Sequence, residues 1–206
     1  MDKKHLYVNH LSKILGLAVM FFTVFFIPPS FAEEIEQPIA FSHKTHAGVN
    51  KIACEFCHIY ARRSINSGVP PVRTCMGCHN VIAGTQPEQQ AEIKKVKEYW
   101  AKNEPIPWRK IHDNPDFVYF SHKRHVKAGF DCTNCHGDIS QMDVVQRQSD
   151  LTMGWCVKCH NQKHPTVDGK IAGPVRATRG GPVLQPAPAN AINTISGSKD
   201  CYICHK

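Results

Sequence analysis

Hydrophobic residues are unevenly distributed along the 206-residue chain, and the longest apolar run lies near its start, from Ile14 to Ile27 after three lysines. This run is shorter than the roughly twenty residues that a membrane-spanning helix needs, and Ser30-Phe31-Ala32 offers a small-x-small cleavage site. We therefore predict an export signal over residues 1–32, with an uncleaved N-terminal membrane anchor as the alternative. In either case the lysines stay in the cytoplasm and the rest of the chain lies on the periplasmic side.

One later segment has the hydrophobic period of a helix. Ile93, Val96 and Trp100 recur at i, i+3 and i+7 among charged residues, which is typical of an amphipathic surface helix. Thr85-Gln86-Pro87-Glu88 resembles a capping box with an early proline. We predict that residues 85–110 form a linker that contains this helix.

The C-terminal part of the chain shows no periodic apolar pattern. From Val167 to Asp200, glycines and prolines recur every few residues. Residues 167–206 are therefore predicted to form either a flexible linker or an extended arm along a partner protein.

A five-residue motif, Cys-x-x-Cys-His, occurs five times and uses all 10 cysteines. This spacing is typical of covalent haem c attachment, in which two thiols form thioethers and the adjacent histidine is the proximal iron ligand. A zinc site needs four ligands, usually two such pairs, and disulfides impose no adjacent histidine. We number the motifs sites 1 to 5 in chain order. The predicted attachment residues are Cys54 and Cys57, Cys75 and Cys78, Cys132 and Cys135, Cys156 and Cys159, and Cys201 and Cys204, with proximal ligands His58, His79, His136, His160 and His205.

A second pattern reveals an internal duplication. Phe41-Ser42-His43-Lys44-Thr45-His46 returns 79 residues later as Phe120-Ser121-His122-Lys123-Arg124-His125, each copy preceding two haem motifs. Positions i and i+3 share one helix face, and ligands of one iron approach from opposite sides. The two histidines of each copy are therefore predicted to be distal ligands of two different irons, in a di-haem module A over residues 33–84 and a di-haem module B over residues 111–166.

The fifth distal ligand is less constrained. Two histidines outside the export signal remain, and we prefer His112 to His164 because His164 follows the fourth motif closely. Met142 and Met153 are the other candidates, since methionine also ligates haem iron and raises its potential.

The net charge of +8 is compatible with the haem interpretation. Each ferric haem with two imidazoles adds about −1 through its propionates, so the basic side chains are explained as propionate partners. The chain lacks a basic-aromatic motif for nucleic acid. The predicted fold class is a multihaem cytochrome c, mostly irregular, with short α-helices wrapped around five haems.

These residues also resemble a known family. The segments 41–46, 111–137 and 151–156 are similar to the pentahaem cytochrome subunit of alternative complex III, within the class III or cytochrome c7-like multihaem proteins. The resemblance covers the chain from about residue 35 onward and is weak after His164. It implies an electron-transfer subunit of a membrane quinol-oxidising complex, with iron–sulfur and polytopic membrane subunits as partners and a small acceptor cytochrome c or a terminal oxidase as electron acceptor.

The residues themselves also favour electron transfer. Enough distal ligands exist to close all five irons, and a six-coordinate haem has no position for a substrate. We expect no catalytic site in this chain. The alternatives are a free periplasmic multihaem shuttle and a multihaem reductase with one open haem.

Overall fold

The computed structural model describes residues 35–172, 175–176, 182–184, 186, 188–191 and 193–205. The predicted export signal or anchor lies outside these residues. Within them, no helix has both the length and the apolar character needed to cross a membrane.

The helices are short, as predicted, and most coincide with a haem motif or with a repeated histidine pair. They are a π-helix over Lys44–Val49, α1 (Cys54–Cys57), α2 (Val72–His79), α3 (Pro87–Lys102), α4 (His122–Lys127), α5 (Thr133–His136), a 3-10 helix over Ile139–Gln141, α6 (Met153–His160) and α7 (Cys201–Cys204).

The structure adds a small sheet that the hydrophobic pattern did not predict. Strands β1 (His164–Val167), β2 (Lys170–Ile171) and β5 (Asn193–Ile195) form an antiparallel sheet in the order β2-β1-β5. Strands β3 (Val175–Arg176) and β4 (Val183–Leu184) form a separate antiparallel pair. The strands are too short for period-two alternation to be visible in the sequence.

The linker helix α3 is present, with two differences from the prediction. Its first turn is capped by Gln89, whose Oε1 accepts hydrogen bonds from the backbone N–H of Thr85 (3.0 Å) and of Gln86 (3.3 Å), so the cap lies one residue later than Thr85 and Glu88 indicated. Val96 is buried, but Trp100 is 47 % exposed and Tyr99 takes its place against the core.

The hydrophobic core of the polypeptide is small. It consists of Ile39, Val72, Val96 and Ile106, which come from module A and the linker. Among the described residues only six hydrophobic side chains are buried, whereas nineteen large ones are exposed. A fully buried aliphatic or aromatic side chain stabilises a fold by about 1.5–3 kcal/mol, so these six cannot offset the conformational entropy of the chain. The predicted haems would therefore cover apolar side chains that the polypeptide leaves exposed.

Close backbone contacts join the two modules. The backbone N–H groups of His122 and Lys123 donate to the carbonyls of Ile65 and Ser64, both at 3.0 Å. On another side, Lys44 N–H donates to the Met142 carbonyl at 3.0 Å. A Cβ on Gly48 would collide with the carbonyl oxygen of Ser140, so this glycine permits the π-helix to approach the 3-10 helix.

Candidate functional site

The two repeated histidine pairs have the same local geometry. Phe41 stacks on His46, with ring centroids 4.3 Å apart and planes at 24°, and meets His43 edge-on at 4.9 Å. Phe120 stacks on His125 at 4.4 Å and 26°, and meets His122 edge-on at 4.9 Å. Each phenylalanine thus fixes one imidazole flat against its face and the other nearly perpendicular. Phe41 and Phe120 belong to the repeated segments, but their contacts with the histidines were not predicted from the sequence.

Backbone carbonyls hold the rings of most predicted ligands. In each repeat the second histidine donates from Nδ1–H to the carbonyl four residues earlier, with His46 bonding to Ser42 and His125 to Ser121, both at 2.8 Å. This bond places the proton on Nδ1 and leaves Nε2 as the free metal-binding nitrogen. The same bond is made by His58 to Gly68 (2.7 Å), His79 to Ile82 (3.0 Å), His122 to Ile65 (2.9 Å) and His160 to Ser198 (2.7 Å).

Three of the predicted distal histidines lie opposite motif histidines at similar separations. The ring centroids are 6.0 Å apart for His46 and His79, 6.3 Å for His122 and His136, and 6.0 Å for His125 and His160. A metal–imidazole bond is about 2.0–2.1 Å long, and the ring centre lies about 1.1 Å beyond the nitrogen, so two imidazoles on opposite sides of one metal are about 6.3 Å apart. The spacing therefore fits one iron between each pair.

His43, the remaining histidine of the repeated pairs, is partly buried. Burial, together with the nearby His58 and His46, lowers the pKa of His43 to about 4. Its Nδ1 is buried and has no hydrogen-bond partner among the described residues.

The two candidates for the fifth distal position differ in their free nitrogen. His164 is buried in β1, where its Nε2–H donates to the Cys159 carbonyl at 3.1 Å, so that nitrogen is already engaged. The Nε2 of His112 is buried without a hydrogen-bond partner in the described part of the chain. However, the His112 ring lies 4.4 Å from His136 at 87°, which is too close for two ligands on opposite sides of one iron.

Site 5 has a different neighbour. Phe117, rather than an imidazole, is the ring that stacks on His205 in the described residues, at 6.0 Å and 26°. Of the two methionine candidates, Met142 contributes its carbonyl to the contact between the modules, and Met153 is 69 % exposed at the start of α6. The structure brings none of the four candidate ligands against His205.

Burial favours the neutral form of two candidate ligands in module B. Desolvation, followed by the nearby imidazoles of His112 and His122, lowers the pKa of His136 to about 3. Desolvation likewise lowers the pKa of His125. The pKa of the Cys135 thiol is raised to about 12 by burial and by the neighbouring thiols of site 4. Neutral imidazole is the form that binds a metal ion, and the raised pKa of the Cys135 thiol disfavours its anionic form.

The motif surroundings also fit a large apolar group. Phe56 in site 1 is 57 % exposed, and Tyr202 in site 5 is 81 % exposed. In the region that the structure describes, no three or more histidine, cysteine or acidic side chains are grouped to hold a metal ion by themselves. Six imidazoles instead form three opposed pairs. This arrangement suits haem, because the porphyrin supplies four nitrogen ligands and the protein supplies two.

Comparisons with known proteins agree with this chemistry. Residues 118–206 match the family described as cytochrome c7 and related cytochrome c; cytochromes of this type carry covalently bound haem c. The chain is also 29% identical, over 201 residues, to the multihaem cytochrome c subunit of a menaquinone reductase from Nitratidesulfovibrio vulgaris. That alignment covers 93% of this chain and 88% of the relative. The chain is thus similar to multihaem c-type cytochromes along nearly its whole length.

Proposed function

We propose that this chain is the electron-transfer subunit of a quinol-oxidising membrane complex, carrying five haem c groups on the periplasmic side. The observation that carries the proposal is the set of three opposed imidazole pairs at 6.0–6.3 Å, each joining a repeated histidine to a motif histidine. Haem c supplies one-electron transfer at its iron when bound.

The chain's own residues would do three things. The ten motif cysteines hold the groups covalently, the five motif histidines orient them, and His43, His46, His122 and His125 close the far side of four irons. Carbonyls such as those of Ser42 and Ser121 keep Nε2 directed at the metal. The four haems that these histidines would hold from both sides would have no open position for a substrate, so the residues favour electron transfer over bond chemistry.

Similarity to a subunit of a quinone-linked complex supports the assignment to a membrane complex. We infer that the partners are iron–sulfur and polytopic membrane subunits, with a small cytochrome c or a terminal oxidase as acceptor. The relative is a subunit of a menaquinone reductase, and this observation favours a second candidate function in which electrons flow through this chain towards menaquinone.

Purification from native membranes tests the proposal. We expect the chain to co-purify in detergent with polytopic subunits, to carry five haems by mass and absorption, and to be reduced by added quinol. Reduction of menaquinone by the pre-reduced complex, without quinol oxidation, would favour the second function. A monomer with no membrane partners would contradict both.

A further inference from the structure

The five sites do not follow one another in space in the order of the sequence. We propose that their spatial order is 2–1–3–4–5, so that sites 2 and 5 are the two ends of the electron path and site 1 is internal. This inference rests on the proposed haem occupancy and goes beyond it, because the sequence by itself does not give the order of the sites.

Sites within each module are neighbours because one short helix carries both distal histidines. In module B the ring pairs His122–His136 and His125–His160 belong to sites 3 and 4, and their distal members are three residues apart in α4. In module A the pair His46–His79 belongs to site 2, which leaves His43, three residues earlier on the same helical turn, for site 1.

The connection between modules is made at sites 1 and 3. One loop, residues 64–68, follows the first haem motif. Its Gly68 carbonyl accepts from Nδ1–H of His58, the proximal residue of site 1, at 2.7 Å. Its Ile65 carbonyl accepts from Nδ1–H of His122, the distal residue of site 3, at 2.9 Å. The same loop therefore orients ligands of both sites and holds them next to each other.

Site 2 lies on the other side of module A. Its motif helix, α2, contributes Val72 to the small core with Ile39, Val96 and Ile106, so it faces the linker helix. Cys78 of this site and Cys54 of site 1 are both exposed, so exposure does not distinguish sites 1 and 2. In contrast, Asn134 within the site 3 motif is 7 % exposed, as expected for a site in the middle of the path.

Sites 4 and 5 are connected by the segment before the last motif. The Nδ1–H of His160, the proximal residue of site 4, donates to the Ser198 carbonyl at 2.7 Å. Gly197 lies against the same ring, where a Cβ would collide with the imidazole. Site 5 is fixed from its other side, because the backbone N–H of Tyr119 donates to the Cys204 carbonyl at 2.7 Å. Site 5 is exposed at Cys201 and Tyr202.

Partner proteins would therefore exchange electrons with the chain at sites 2 and 5. Site 1 would be an internal site, because sites 2 and 3 are its neighbours in the proposed order.

A matched pair of variants on one helix tests this order. In His43→Met and His46→Met, the altered iron has a raised potential and is reduced first in a potentiometric titration followed by EPR. A low-spin ferrous iron is diamagnetic, so its reduction removes its magnetic coupling to neighbouring ferric irons. We expect His43→Met to change the line shapes of two other signals, because site 1 has sites 2 and 3 as neighbours. We expect His46→Met to change one, because site 2 has site 1 alone as a neighbour.

The opposite result, with two signals changed by His46→Met and one by His43→Met, would overturn the order, and so would equal counts. If the introduced methionine does not bind, the reduced five-coordinate iron is high-spin and paramagnetic. Added carbon monoxide then occupies the open position, converts this iron to the diamagnetic low-spin form, and allows the same count. The experiment needs only the haem-loaded protein. It gives an answer whether or not quinol reduces the complex, so its failure is distinguishable from failure of the proposed function, which the haem count and quinol assay report.

Discussion

At the scale of single residues, the rings of the predicted ligands are held by phenylalanine faces and backbone carbonyls. Phe120 touches both His122 and His125, and Phe41 touches both His43 and His46. Aromatic pairs of this kind contribute about 0.5–1.5 kcal/mol beyond the area that they bury. Each of these phenylalanines therefore positions two predicted ligands.

We expect Phe120→Ala to disturb two irons and no others. Removal of the ring frees both imidazoles of α4 to rotate, so the EPR signals of two haems should broaden or shift, with a loss of about 2–3 kcal/mol in stability because the ring is only partly buried. Phe120→Tyr keeps the aromatic face and is the control. Changes in all five signals, or in one alone, would contradict the role.

The two histidine candidates for the fifth distal position differ at single atoms. The Nε2 of His112 is buried without a partner among the described residues, whereas Nε2–H of His164 is bonded to Cys159. We predict that His112→Ala converts one low-spin haem to high-spin and that His164→Ala leaves the spin states unchanged. Absorption and EPR spectra of the two variants make the comparison, and a high-spin signal in His164→Ala instead would reverse the assignment.

At the scale of secondary-structure elements, α3 shows how a pattern predicts a helix but not its contacts. Ile93, Val96 and Trp100 lie on one helix face, yet the core accepts Val96 and Tyr99 and leaves Trp100 largely exposed. Tyr99 and Trp100 are three and four residues after Val96, so they lie on opposite sides of it along the helix surface, and either could pack beside it. Which of them packs depends on where α2 and Ile106 lie.

We expect Val96→Ala to cost more stability than Trp100→Ala, although tryptophan is the larger residue. Loss of the buried valine methyls should cost about 1–2 kcal/mol, and truncation of the exposed indole about half of that or less. Denaturant unfolding of the haem-loaded protein, followed by circular dichroism, measures both. A larger loss for Trp100→Ala would mean that the indole is covered in the assembled protein.

At the scale of the whole molecule, few apolar side chains are buried in the part of the chain that the structure describes. Four core residues lie in module A and the linker, and Ala61 and Trp155 are buried separately. Module B and the last motif are connected mainly through backbone hydrogen bonds, each of which contributes only about 0.5–1.5 kcal/mol net.

We therefore predict that the chain produced without haem attachment does not unfold cooperatively. In far-UV circular dichroism during a denaturant titration, it should lose signal gradually, while the haem-loaded protein shows a sigmoidal transition. The haem-loaded protein, prepared from the same gene, is the control. A sharp transition in the haem-free chain would show that the polypeptide core is sufficient.

The sequence by itself determined the chemistry. Five Cys-x-x-Cys-His motifs and two copies of a histidine pair are local patterns, because a thioether pair and its proximal imidazole fit within one helical turn. The prediction of short helices in a mostly irregular chain is confirmed, and the similarity to multihaem cytochromes agrees with it. The haem count and the distal assignments stay predictions until they are measured.

Only the tertiary structure decided how these local units meet. Nothing near Ile65 or Gly68 in the sequence indicates that their carbonyls orient His122 and His58. The strand β1 also pairs with β5, which begins 26 residues beyond its end, as well as with the adjacent β2. Hydrogen bonds between backbone groups leave no signature in side-chain type, and contacts between distant segments depend on the closure of long loops. For this physical reason the motifs can be found by reading the chain, whereas their order in space cannot.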